Sequence, residues 1–165
     1  MTVSTIGLDG FPKSRVVLLK KYSEEGFIFY TNYLSHKGQD ISRQEKVSML
    51  FFWPGLMRQI RIEGRVQPID AAVSDAYFAS RPRESQIGAW ASAQSAVLPS
   101  RQELIALFEY YDQQFPELVP RPPHWGGYAL QPDYFEFWQG QPSRLHDRKS
   151  FLLQDDVWQI NLLNP

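Results

Sequence analysis

Residues 58–66 read RQIRIEGRV. Ile60, Ile62, Gly64 and Val66 alternate with Gln59, Arg61, Glu63 and Arg65, and a period of two marks a β-strand with one face on a core and the other in polar surroundings. Upstream of it, Pro54-Gly55 is a turn, and residues 47–53 (VSMLFFW) are nearly all apolar, as expected of a strand buried on both faces. Residues 15–22 (RVVLLKKY) and 27–31 (FIFYT) are β-branched and aromatic, which predicts a hairpin across Glu24, Glu25 and Gly26. Met1 to Ile6 predicts a short first strand, with GLDGFP (7–12) as the turn after it. The first half therefore reads as an antiparallel meander.

Downstream the period changes. Ala71 to Ser80 and Ser100 to Phe115 carry apolar residues at helical spacing, the second opening with a Ser100…Glu103 capping box. A proline-rich connection follows (PELVPRPP, 116–123) and strand patterns then resume at Tyr128–Leu130, Tyr134–Trp138, Lys149–Leu153 and Val157–Leu162. Many short strands, then helices, then more strands predict an α+β, mainly β fold, an antiparallel barrel in preference to a Rossmann-like sheet. At 165 residues, 43% hydrophobic and 15% aromatic, the chain predicts one domain over residues 1–165 with a real core.

Composition narrows the chemistry. The net charge of -1 supplies no basic field for nucleic acid or an anionic membrane, so any bound anion must meet a local cluster. The absence of cysteine excludes disulfides, thiolate metal sites and a cysteine nucleophile. No apolar run reaches transmembrane length, and a cytoplasmic location is expected. His36, His124 and His146 lack companions at metal-ligand spacing, so no metal site is expected.

Three clusters could bind an anion, and each has a plainer reading. Arg15 and Lys20 on one strand would point to opposite faces and commonly mean two solvated charges. Ser35-His36-Lys37 follows a strand end and predicts a short helix, capped by Ser35, whose free N–H groups suit a phosphate or serve only the cap. Residues 81–85 (RPRES) put two guanidiniums and a hydroxyl in a proline-stiffened turn, as a phosphate clamp or an exposed loop would. A fourth stretch, FEFWQGQPSRLHDR (135–148), runs from aromatics into Arg144, His146 and Arg148, whose spacing of two predicts a shared face. For His146 alone a hydrogen-bonded structural role is an equal alternative.

FEFWQGQPSRLHDR resembles the signature of the pyridoxine/pyridoxamine 5'-phosphate oxidase family. RVVLLK, FYTNYLSHKG, RQIRIEG and RPRESQIGAWASAQS resemble that family's other segments in the same order, so the resemblance spans Met1 to Pro165. It implies an FMN-binding split β-barrel, Greek-key-like, with flanking helices. It also implies a homodimer with FMN at the subunit interface, so the site residues need not converge within one chain. By this resemblance FMN would be held by Arg15, Val16, Val17, Leu18, Leu19 and Lys20, by Tyr30, Thr31, His36 and Lys37, and by Gln59, Gln94, Ser95, Trp138 and Arg148. The substrate phosphate would be gripped by Lys20, Tyr77, Arg81 and Ser85, and the pyridine ring set by Arg144, Leu145 and His146, with Arg144 and His146 as the catalytic pair.

The implied reaction oxidises pyridoxine 5'-phosphate or pyridoxamine 5'-phosphate to pyridoxal 5'-phosphate, within vitamin B6 metabolism. Hydride passes from the substrate's C4′ carbon to the flavin, and O2 takes the electrons and leaves as H2O2. Two departures accompany the resemblance. Family members carry several dozen residues before the position of Met1, including a segment that helps cover the substrate. His36 stands where the family pattern has arginine. The alternatives are a weakly active split-barrel protein that binds FMN or pyridoxal phosphate, and a flavin reductase on the same fold.

Overall fold

The computed structural model describes all residues 1–165. Nine strands form one antiparallel sheet: β1 (Thr2–Ile6), β2 (Pro12–Val16), β3 (Lys21–Ser23), β4 (Gly26–Asn32), β5 (Lys46–Trp53), β6 (Arg58–Pro68), β7 (Trp125–Gln139), β8 (Asp147–Gln154) and β9 (Val157–Leu162). The main path runs β2-β1-β5-β6-β7-β4-β3. Only β5-β6 is hairpin-like within its middle, so the expected meander is broken by long returns: β1 pairs β5, and β4 pairs β7. The two ends of the path, β2 and β3, are consecutive in the chain, and Val17 to Lys20 span between them. Val17 N–H donates to the Met1 carbonyl at 2.9 Å and Lys20 N–H to that of Ile28 at 2.9 Å, which ties this connection to both ends.

Strand β7 splits the barrel. Its first part, Trp125–Leu130, pairs with β4, whereas Tyr134–Gln139 pairs with β8, and β6 accompanies it along both parts. A register shift at Glu63/Gly64 lies where the change of partner occurs.

The alternation of residues 58–66 appears as expected, with Ile62 and Val66 1% and 2% exposed in a core that also holds Val3, Phe29, Ile41, Val47, Met49, Tyr128 and Leu130. Each such apolar side chain contributes about 1.5 to 3 kcal/mol relative to exposure. A second cluster, Phe78, Ile87, Val119 and Trp125, seats the helices α2 (Ala71–Ala79), α3 (Arg83–Ala91) and α4 (Arg101–Gln114). Helix α1 (His36–Arg43) is capped by Ser35, whose Oγ accepts from Gly38 N–H at 3.3 Å, and α4 by Ser100, whose Oγ accepts from Glu103 N–H at 3.2 Å. Gly38 is required at its position because a Cβ there would collide with the Tyr33 carbonyl.

Five expectations are corrected. Residues 15–22 are not one strand: β2 ends at Val16 and β3 starts at Lys21, because closing the barrel takes the chain from one end of the path to the other. Arg15 and Lys20 therefore do not share a strand. Tyr128–Leu130 and Tyr134–Trp138 are one strand, since Gln131 and Pro132 pair with Arg65 and Gly64 of β6 and only Asp133 is bulged out before the pairing resumes at Tyr134. Residues 47–53 are buried at Val47 and Met49 but leave Phe52 and Trp53 52% and 40% exposed, where β5 runs past the core. The RPRES segment opens α3 with Pro82 as its N-cap, the place where proline's missing N–H costs nothing. Finally, Arg144, His146 and Arg148 do not share a strand face. Arg144 ends the 3-10 turn Pro142–Arg144, His146 follows it, and only Arg148 lies on β8.

Candidate functional site

A cleft of about 1040 Å³ opens between the Arg15–Lys20 connection, the end of β4, the start of α1, and helices α2 and α3. Of the residues nominated from the sequence, it gathers Arg15, Val16, Val17, Leu18, Lys20, Tyr30 and Thr31. It also gathers His36, Lys37, Tyr77, Arg81, Ser85, Gln94 and Ser95. Arg15, Lys20, Lys37 and Arg81 all line it, and no aspartate or glutamate does. In a chain of net charge -1 this is a local cation cluster, the arrangement an anion requires.

Lys37 is 8% exposed, and its ammonium donates to Thr31 Oγ1 at 2.8 Å, Gln94 Oε1 at 2.9 Å and Ser35 Oγ at 3.3 Å. All three acceptors are neutral. Burial, and then the charge of Arg15, lower its pKa to about 8. Arg15 is aimed from behind: its Nη1 donates to Thr5 Oγ1 at 2.7 Å, and its Nη2 lies 3.8 Å from the buried Asp40 carboxylate, to which Thr5 also donates. Across the cleft, Arg81 lies over the Trp125 ring at 4.5 Å, and its buried Nη1 has no hydrogen-bond partner. A buried guanidinium nitrogen without an acceptor is costly unless a ligand oxygen completes it. Tyr77, Tyr30 and Trp125 stack beside it, with Tyr30–Tyr77 centroids 3.9 Å apart and Tyr30–Trp125 5.4 Å, forming an apolar wall. A cation cluster with no carboxylate in the cleft lining, neutral hydroxyl and amide groups and a flat aromatic wall fit a phosphorylated planar ligand such as a flavin mononucleotide.

The remaining nominated residues lie elsewhere. Gln59, Trp138 and Arg148 are mutual cross-strand partners on β6, β7 and β8, and therefore share one face of the sheet. Trp138 packs against His146 at 4.8 Å. Backbone N–H of Gln141 donates to His146 Nδ1 at 3.1 Å, so the neutral imidazole carries its proton on Nε2. Ser143 and Arg144 both adopt left-handed backbone (φ 56° and 62°), at roughly 1 to 2 kcal/mol per residue, to curl the loop around His146. Leu145 is exposed, and Leu19 is half-buried outside the cleft. Trp125 and Trp138 stand near opposite ends of β7, separated by roughly 40 Å of strand. A single chain thus presents two half-sets.

Trp125, Asn32 and Ser92 line the cleft without having been nominated. Trp125 had a signal, the two glycines that follow it: a Cβ at Gly126 would strike Tyr33 and one at Gly127 would strike Ile69 and Tyr30. Asp40 and Thr5 had none, because their role depends on Arg15 arriving from another strand.

Comparison with known proteins agrees with this geometry. Residues 1–115 match the family model for pyridoxamine 5'-phosphate oxidase, and residues 125–165 match that for the pyridoxine 5'-phosphate oxidase C-terminal dimerisation region. The pyridoxine/pyridoxamine 5'-phosphate oxidase of Actinobacillus succinogenes is 51% identical over the whole chain, which covers 79% of that protein. That of Thermosynechococcus vestitus is 52% identical, again over the whole chain and 78% of the relative. Among solved structures, PhzG from Burkholderia lata, in complex with tetrahydrophenazine-1-carboxylic acid, superposes with a TM-score of 0.93 at 30% identity, over 99% of this chain and 81% of that one. A pyridoxamine 5'-phosphate oxidase-related, FMN-binding protein from Nostoc punctiforme shares the fold, with a TM-score of 0.77 at 16% identity over 99% and 87% of the two chains. The cation-lined cleft, the split barrel and these matches converge on one assignment: the chain belongs to the pyridoxamine 5'-phosphate oxidase family.

Proposed function

We propose that the protein is an FMN-dependent oxidase that converts pyridoxine 5'-phosphate and pyridoxamine 5'-phosphate to pyridoxal 5'-phosphate, with O2 as oxidant and H2O2 as product, in the cytoplasm. The observation that carries this reading is the cleft with four Lys and Arg side chains and no carboxylate. In this reading Arg15 and Lys37 bind the FMN phosphate, helped by Thr31, Gln94 and Ser95, with His36 at the rim. Lys20, Tyr77, Arg81 and Ser85 bind the substrate phosphate, so that the unpartnered Arg81 Nη1 gains its acceptor. When bound, FMN supplies the two-electron redox chemistry. The chain orients the two rings, holds the substrate by its phosphate and excludes water.

Gln59, Trp138, Arg148, Arg144 and His146 serve the same site from a second copy of the chain. The C-terminal dimerisation region supports a homodimer, as do exposed apolar side chains at Phe52, Leu56, Phe137, Ile160 and Leu162. The whole of residues 1–165 acts as one flavin-binding unit. The similarity to PhzG favours a second reading, oxidation of a reduced aromatic carboxylic acid in the same cleft. Purified protein loaded with FMN is expected to release peroxide on addition of pyridoxine 5'-phosphate, and not on addition of NADH or a tetrahydrophenazine carboxylate. Peroxide from the carboxylate alone would replace the first reading by the second, and NADH oxidation alone would indicate a flavin reductase.

Lys37 makes FMN affinity dependent on pH. A phosphate dianion favours the charged ammonium and raises its pKa above the value of about 8 that it has without ligand. Well below pH 8 the lysine is already charged and adds no slope of its own. Above it, binding must take up a proton, so the dissociation constant rises by up to about tenfold per pH unit. Fluorescence titrations between pH 7.5 and 9.5, above the phosphate's own ionisation, should show this rise for the wild type and a weak, flat affinity for Lys37→Met. An equal slope in both proteins would remove Lys37 from the phosphate site.

A further inference from the structure

Glu136 is 4% exposed near the C-terminal end of β7, on the same sheet face as Trp138 by the alternation of side chains. Its oxygens are both engaged. Oε1 accepts from Arg148 Nε at 2.9 Å and lies 2.9 Å from Arg148 Nη2. Oε2 lies 3.0 Å from Arg61 Nη2 and accepts from the Tyr134 hydroxyl at 3.3 Å. Arg61 is the direct cross-strand partner of Glu136, as Gln59 is of Trp138, and Arg148 is that of Trp138 on the other side. The carboxylate therefore sits two pairs along from Gln59, Trp138 and Arg148, as their next neighbour on the same face. Arg148 Nη1 also donates to the Asn164 carbonyl at 2.7 Å. Of its five N–H groups, this leaves one each on Nη1 and Nη2 uncommitted.

Burial alone would raise the Glu136 carboxyl, but the hydrogen bond from Arg148 and the charges of Arg61 and Arg148 hold it below the usual carboxylate range. Such a cluster is a poor device for stability, because removing charges from water offsets most of their attraction and an apolar replacement is commonly as stable. What it does supply is orientation. A carboxylate fixed at both oxygens fixes a guanidinium that would otherwise sample many rotamers.

We propose that Glu136 is a positioning residue for flavin binding, holding Arg148 so that its two uncommitted N–H groups present to the ligand beside Trp138 and Gln59. This rests on the reading above that Arg148 meets FMN. Arg61 and Tyr134 act one step further back, by holding the carboxylate.

The test is a double-mutant cycle read as FMN dissociation constant, by flavin fluorescence quenching on refolded or flavin-stripped dimer, with thermal unfolding of each protein alongside. Glu136→Gln is expected to weaken FMN binding about tenfold. Arg148→Met should weaken it at least as much, and the double variant no further, because Glu136 acts only through Arg148. Additive losses in the cycle would overturn the proposal, as would a Glu136→Gln protein that melts lower but binds FMN like the wild type. Unchanged affinity in Arg148→Met would overturn the flavin assignment of Arg148 together with it. Should Glu136→Gln not fold, Arg148→Lys decides: it keeps the charge but loses the paired N–H grip. Affinity falling to that of Arg148→Met supports orientation, and wild-type affinity overturns it.

Discussion

A heterodimer with Arg81→Glu on one subunit and Arg144→Glu on the other will recover about half of the wild-type turnover, although both parent homodimers are inactive. The expectation follows from the two half-sets. Arg81 lies in the cation-lined cleft, whereas Arg144 lies beyond the far end of β7, outside it. If a complete site takes the cleft of one copy and the Gln141–Arg148 stretch of the other, a symmetric dimer holds two such sites. In the heterodimer one site collects both defects and the other collects none. In the proposed reading each single charge reversal turns a cation that meets the substrate phosphate or ring into an anion, which should cost about a hundredfold or more in turnover. Co-expression with two affinity tags isolates the heterodimer, and peroxide release with pyridoxine 5'-phosphate reports the outcome. A heterodimer as inactive as its parents would mean that each site is built within one chain, or that Arg144 has no part in it.

The second large effect is at His146. Because Gln141 N–H donates to Nδ1, the neutral ring offers an N–H donor at Nε2. In the proposed reading, that N–H meets a ligand oxygen, and in this state the ring has no free lone pair with which to take a proton. Replacement by glutamine, which can still offer an N–H at a similar reach, should keep much of the turnover. Replacement by glutamate, a base with no donor when ionised, should lower kcat/KM about a hundredfold, the usual loss for a donor aimed at developing charge. FMN retention should change little in either. Glutamate that works as well as glutamine would show that His146 acts as a base. Nitrogen-15 spectra of labelled protein give an independent reading: His146 should show a bare Nδ1 and a protonated Nε2.

Much of the architecture was legible because it rests on local periodicity. The alternation in 58–66, the apolar run at 47–53, the caps at Ser35 and Ser100 and the hairpin across Glu24–Gly26 each depend on neighbours a few residues away. The breaks did not have that property. A run such as RVVLLKKY has strand propensity throughout, and only the closure of the barrel interrupts it after Val16. Likewise RPRES reads as a turn until Gln86 and Ile87 pack into the second core and draw the segment into α3.

The candidate site divides in the same way. Residue types and order were enough to nominate Arg15, Lys20, Lys37, Arg81, Arg144, His146 and Arg148 as a set, and to place the chain in its family by resemblance. Which of them meet was decided by tertiary structure. Lys37 finds Gln94 57 residues away, Arg15 finds Asp40 through a third partner on β1, and Arg148 finds Glu136 across a strand pair. The supporting carboxylates Asp40 and Glu136 carry no signal of their own, since a lone acidic residue in a sequence is ordinarily a solvated one. Their burial beside arginines exists only once three strands and a helix are packed. The division of the nominated residues into two groups at opposite ends of β7 is likewise a property of the fold, because distance in space is set by strand register and not by spacing along the chain.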